Sequence, residues 1–129
     1  MSAIRALIID DDKAVRTVTS CAMPSRGVKV LAAADTSEAD EILRHEHVDV
    51  IVCDVLMDKE DGLSFCKRLR DEGNNTPLMF LSALGDPVTV SIGMNSGAAA
   101  FVVKPFEIGD LCEQITKLVS SPTNVPQAA

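Results

Sequence analysis

Four times along the 129-residue chain a short apolar run ends in a side chain able to do chemistry. Asp10, Asp11 and Asp12 follow IRALII, Asp54 follows VDVIVC, Ser82 follows LMFL and Lys104 follows AAFVV. Carboxylates, a hydroxyl and an ammonium are the groups that bind hard cations and neutralise phosphoryl oxygens. If the first and third runs are neighbouring strands, Asp54 lies close to Asp10 and Asp11. Two carboxylates about 4 Å apart repel by roughly 4 kcal/mol at an effective dielectric of 20. Protonation, a bound cation or the Lys104 ammonium could each relieve that repulsion. An all-oxygen pocket suits a hard divalent ion, and Mg²⁺ is the usual one where phosphate chemistry is involved. Taken singly, each residue has an ordinary explanation: Asp12 as a helix cap, Ser82 as a loop tie, Lys104 as a surface charge. Their joint placement at four run ends is what points to a site.

The elements that must position these residues alternate five times. The strand-like runs are Ile4 to Ile9, Val28 to Ala33, Val48 to Cys53, Leu78 to Leu81 and Ala99 to Val103. Between them lie helical patterns. Val15, Val18 and Ala22 form a stripe within 12–23, closed by Pro24 and Gly27. Thr36 or Ser37 caps a second helix that turns Ala39, Ile42 and Leu43 inward. Leu63, Cys66 and Leu69 mark a third after Gly62, broken by Asn74, Asn75 and Pro77. Asp86 and Pro87 read as the cap and first position of a fourth, which Gly97 stops. Ile108, Leu111, Ile115 and Leu118 stripe the fifth. Strand–helix repeats of this length predict a parallel α/β sheet with right-handed crossovers and helices on both faces. In such a sheet, ligands bind beyond the carboxyl ends of the strands, where these polar residues fall.

Composition narrows the function. One domain accounts for the length. With 12 basic and 19 acidic residues, the net charge of −7 opposes nucleic-acid binding by this segment. No Trp or Tyr is present to stack bases. Cys21, Cys53, Cys66 and Cys112 show no metal spacing and read as free thiols of a reducing cytoplasm. His45 and His47 read as surface residues. No window reaches membrane-span length, and the amino terminus lacks a signal peptide pattern. Residues 120–129 (SSPTNVPQAA) read as a flexible tail or the start of a linker after a domain spanning 1–119.

The pieces IIDDD (8–12), VIVCDVLMDKEDG (50–62), LSA (81–83) and FVVKPF (101–106) resemble the receiver domain of two-component response regulators. The likeness runs from Ile4 to about Val119. It implies a flavodoxin-like, CheY-like α/β fold: five parallel strands in the order 2-1-3-4-5, doubly wound by five helices. It further implies that Asp54 accepts a phosphoryl group from a sensor histidine kinase or histidine phosphotransfer protein. Asp10, Asp11, Asp54 and the main-chain carbonyl of Leu56 would hold Mg²⁺. Ser82 and Lys104 would contact the phosphoryl group, Ser82 and Phe101 would switch, and the Lys104–Pro105 peptide would be cis. The surface from Pro87 to Val119 would then control a downstream protein or a fused output domain. On this reading the protein is no turnover enzyme, although it helps to catalyse its own phosphorylation and slow dephosphorylation.

The chain departs from the family pattern at Asp58, where proline is usual, so the loop after Asp54 is expected to be less stiff. Leu56 and Leu84 stand where the family tunes phosphoryl lifetime. Neither can orient a water, so slow autodephosphorylation is expected. Gly93 and Gly109 interrupt predicted helices at about 1 kcal/mol each against alanine, which suggests a loose fourth helix. A haloacid-dehalogenase-type phosphatase would need an acid where Leu56 stands. A receiver-like module that is never phosphorylated would lack the acceptor or the lysine. A flavodoxin-like cofactor site would conflict with the acidic rim.

Overall fold

Period-two alternation within the apolar runs sorts their side chains into two layers. A computed structural model describes residues 3–120 of the chain. Its strands are β1 (Ile4–Ile9), β2 (Val28–Ala33), β3 (Val50–Asp54), β4 (Leu78–Ser82) and β5 (Ala100–Val103). The helices are α1 (Lys13–Ala22), α2 (Thr36–His45), α3 (Gly62–Asp71), α4 (Pro87–Asn95) and α5 (Ile108–Ser120), with a 3₁₀ turn at Pro24–Arg26. The five strands are parallel and lie in the order β2-β1-β3-β4-β5. The expected parallel sheet and strand order are therefore observed.

Ala6, Ile8, Val50, Val52, Met79 and Leu81 pack with Leu111, Ile115 and Leu118 of α5. The alternate residues Leu7, Ile9, Ile51, Cys53, Leu78 and Phe80 pack with Ala39 of α2 and with Phe65, Cys66 and Leu69 of α3. β3 and β4 are buried along their whole length, because helices cover both faces of a parallel sheet. No helix among the described residues is long and apolar enough to cross a membrane.

Several local expectations change. The third strand starts at Val50 rather than Val48 and takes in Asp54. α2 is capped by Asp35, whose carboxylate accepts the Glu38 N–H at 2.9 Å; Thr36 and Ser37 are the helix's first two residues. On α1 the buried residue is Thr19, while Val18 is 50% exposed. The Thr19 hydroxyl satisfies itself on the Val15 carbonyl at 2.8 Å, so it can occupy the interior where the apolar count favoured Val18. The caps at Asp12, Asp61 and Asp86 are formed, and Gly27 and Gly97 adopt the left-handed conformation past their helices. Ser120 belongs to α5, and residues 121–129 of the expected tail lie outside the described residues. Cys53, Cys66 and Cys112 are buried free thiols, whereas Cys21 is exposed. His45 and His47 are exposed beside Glu41 and Asp49.

Candidate phosphoacceptor and cation site

Strand register decides which polar residues meet. Ile8 pairs with Val52, and Val52 with Met79. Two residues on, the same parity brings Asp10 beside Asp54 at the carboxyl rim. Lys104 continues the parity of Val102 just past β5. Its ammonium spans the rim to donate to Asp10 Oδ2 at 2.8 Å and to Asp54 Oδ2 at 3.3 Å. Asp10, Asp11 and Asp54 each offer a carboxylate oxygen, all within 4.8 Å of one another. Asp10 is wholly buried, Asp54 nearly so, and Asp11 faces solvent.

The backbone secures this arrangement. Asp10 Oδ1 accepts the Asp12 N–H at 2.9 Å, and Asp12 in turn caps α1 through the Ala14 N–H at 2.9 Å. Arg16 donates to the Asp10 carbonyl at 2.9 Å. The Leu56 N–H reaches Asp54 Oδ1 at 3.3 Å, which places Leu56 against that carboxylate. Val55 is bound on both sides: its N–H donates to Leu81, and its carbonyl accepts from Gly62 at 2.8 Å.

Burial raises the Asp54 pKa to about 6; the Asp10 charge adds to the rise, and Lys104 and the Leu56 N–H pull against it. Burial also works against the Lys104 charge, but the Asp10 hydrogen bond and the Asp54 and Asp10 carboxylates outweigh it and lift that pKa above the usual lysine value. One ammonium faces three carboxylates, and all the side-chain donors are oxygen. This donor set fits a hard divalent cation.

Ser82 and Phe101 lie on the other parity. Ser82 ends β4, is fully buried, and its Oγ accepts the Leu84 N–H at 3.0 Å. Its carbonyl accepts the Lys104 N–H at 2.8 Å, so the Ser82 and Lys104 strand ends are tied together. Phe101 pairs in register with Phe80, their ring centroids 6.2 Å apart. The Lys104–Pro105 peptide is cis, as expected. Leu56 and Leu84 are both about half exposed.

Sequence reasoning missed two structural requirements. A Cβ on Gly62 would overlap the Asp54 carbonyl oxygen, so the first residue of α3 must be glycine for the helix to close on β3. A Cβ on Gly93 would lie 2.9 Å from the Phe101 ring and 3.3 Å from Phe80. Gly93 is thus a close-approach residue, and its cost in helix propensity has a packing reason. The only trace in the sequence is a glycine just before one helical pattern and a glycine inside another. A 440 Å³ groove lined by Ala14, Val15, Val18, Pro105, Phe106 and Lys104, among others, opens beside the site and accounts for the exposure of Val18.

Comparisons with known proteins converge. The response regulator receiver domain model matches residues 6–116. The "Probable transcriptional regulator ycf27" of Cyanophora paradoxa is 36% identical over 120 residues, covering 93% of this chain and 50% of that protein. Response regulator MprA of Mycobacterium sp. (strain KMS) is 32% identical over 127 residues, covering 97% of this chain and 55% of that one. The chain spans about half the length of these curated relatives. Among solved structures, the Francisella response regulator 1452 receiver domain superposes with a TM-score of 0.85 at 33% identity, covering 90% of this chain and 96% of that one. Chemotaxis protein CheY4 of Vibrio cholerae gives a TM-score of 0.83 at 29% identity, covering 90% and 98%. The acidic rim on a 2-1-3-4-5 sheet and the match across nearly the whole chain lead to one conclusion: the chain belongs to the receiver domain family of two-component response regulators.

Proposed function

We propose that Asp54 is the phosphoacceptor of this receiver and that phosphorylation there drives its switch. The observation that carries this reading is the Lys104 ammonium bridging the buried Asp10 and Asp54 carboxylates at the strand ends. A carboxylate with a pKa near 6 is ionised at neutral pH, yet it is poorly solvated. It can therefore attack phosphorus: a new O–P bond forms, the P–N bond of a phosphohistidine donor breaks, and an acyl phosphate results. Mg²⁺ held by Asp10, Asp11, Asp54 and the Leu56 carbonyl would supply charge neutralisation for the phosphoryl oxygens. Lys104 supplies the protein's own positive charge to the same oxygens. The Ser82 hydroxyl already accepts from Leu84 and keeps its proton free to donate.

The added group brings roughly −1.5 to −2 charge to the rim. Ser82 and Lys104 are drawn toward it, and Phe101, beside Phe80 and Gly93, turns with the loop after β4. The affected surface is α4, β5 and α5, which would contact a downstream protein or an output domain of a longer chain. A sensor histidine kinase or histidine phosphotransfer protein would dock over the apolar groove whose edge is Lys104, in a cytoplasmic setting that keeps the four thiols reduced. Leu56 and Leu84 flank the site without any group to orient water, so the acyl phosphate decays slowly; a label lost within seconds would count against this.

The test of the whole reading is incubation with acetyl phosphate and Mg²⁺, followed by intact mass. The expected gain is about 80 Da, one phosphoryl unit on a carboxylate. It is absent in Asp54→Ala. A gain that persists in that variant, or no gain in the wild type, overturns the assignment.

A further inference from the structure

The seven residues from Val55 to Asp61 connect the acceptor strand to α3 and contain no proline. Their ends are secured by the Gly62 N–H on the Val55 carbonyl and by Asp61, which accepts the Ser64 N–H at 2.7 Å. Between those ends a third attachment reaches across from the helix. The Arg68 guanidinium grips the Glu60 carboxylate with two N–H groups, at 3.1 and 2.8 Å. The same guanidinium binds Asp40 of α2 with two more contacts, at 3.3 and 3.0 Å. It rests on the face of the buried Phe65 ring, 5.2 Å from the centroid, which limits where it can swing. Arg68 foremost, and the Thr36 hydroxyl less, hold the Glu60 carboxyl below its usual pKa against the effect of burial. All three charged groups are about two-thirds shielded from solvent. A planar fork held on both carboxylates fixes a direction as well as a charge.

The geometry points to Arg68 as a positioning residue: through Glu60 and Asp40 it sets the β3–α3 loop so that the Leu56 carbonyl is presented to the cation site. This rests on the proposed role of that carbonyl as a ligand. On this proposal the loop, which has Asp58 where proline is usual in the family, draws its stiffness from a side-chain clamp. The effect separates cleanly from simple electrostatics. Removing a positive charge near an acidic site would by itself tighten Mg²⁺, whereas releasing the loop weakens it.

The test compares the wild type with Arg68→Met, Arg68→Lys and Glu60→Gln, with Arg70→Met as a control. Arg70 sits on the same helix but binds the carbonyls of Gly97, Asn74 and Thr76, away from the loop. Mg²⁺ affinity is read by titration calorimetry, and amide exchange of residues 56–61 is read in EDTA. Arg68→Met is expected to weaken Mg²⁺ about tenfold, the low end for outer partners of a metal site, and to speed exchange in the loop. Arg68→Lys, which cannot fork both carboxylates, falls between. Arg70→Met lowers Tm but leaves Mg²⁺ affinity unchanged. If Arg68→Met does not fold, the exchange of the loop in Glu60→Gln decides. Unchanged or tighter Mg²⁺ binding with unchanged loop exchange overturns the clamp while leaving the acceptor assignment intact. A wild type that binds no Mg²⁺ sinks the cation site instead, and the exchange in EDTA still decides the clamp.

Discussion

α3 and α4 lie in the same layer and begin alike, each with an aspartate cap and each meeting the sheet through a glycine. They are built to opposite ends. α3 buries Phe65, Cys66 and Leu69 and is tied outward by Arg68 and Arg70. α4 buries only Gly93, carries no charged residue, and leaves Val88 67% and Ile92 51% exposed. The two glycines differ as well. Gly62 abuts backbone, which cannot move without moving Asp54; Gly93 abuts the Phe101 ring, which can rotate. The α3 side of the rim is held by buried aromatic and aliphatic side chains and by contact with backbone, and the α4 side, where the proposed readout lies, is lightly packed. A switch needs both: fixed charges to define the event, and an element whose alternative packing costs little.

Gly62→Ala should break this contrast most severely. Its Cβ has no room against the Asp54 carbonyl, so the loss of stability should be about 4 kcal/mol, at the high end for a point change. Urea unfolding measures it; a loss below 1 kcal/mol would mean that the acceptor strand yields as α4 does. Next comes Asp54→Asn in metal-free protein. Folding raises the Asp54 pKa from 3.8 to about 6, so the folded state binds this proton more tightly than the unfolded chain. The wild type therefore loses stability as pH rises from about 4 to 6 and regains none above it. Asn carries no such penalty, so the variant should gain roughly 3 kcal/mol at pH 7 and almost nothing at pH 4. Unfolding curves at both pH values decide; an equal gain at each would show that the buried charge is not the cause.

Gly93→Ala should be milder, about 1 kcal/mol, because helix propensity offsets part of the crowding. Its distinguishing sign is a change in the Phe101 ring environment by NMR, with Mg²⁺ binding unaltered. Ile92→Ala should be the smallest, within about 0.5 kcal/mol, as for other exposed positions. Leu69→Ala, its counterpart on α3, should cost about 3 kcal/mol. Similar losses from the two would erase the difference between the helices.

The strands were readable because a parallel sheet covered on both faces leaves unbroken apolar runs in the chain. The site was readable because the residues after those runs are polar in ways a core cannot explain. Errors arose where several residues could serve one purpose. Asp35, Thr36 and Ser37 are all good caps. Thr36 is buried as the first residue of the helix, and Asp35 takes the cap. Val18 and Thr19 compete for one face of α1, and the groove beside Lys104 settles which is inside.

Local order along the chain was thus determined by side-chain type alone: alternating strands and helices, their breaks, and acids and a lysine at the strand ends. What the tertiary structure decided was everything that depends on two segments approaching. Register sets Asp10 beside Asp54 and brings Lys104, 94 residues along the chain from Asp10, onto both. Close approach makes glycine obligatory at Gly62. Arg68 finds its partners on a loop and on another helix. Hydrophobic pattern is a property of neighbours in sequence, whereas charge pairing and steric exclusion are properties of distance in space, and folding alone supplies those distances.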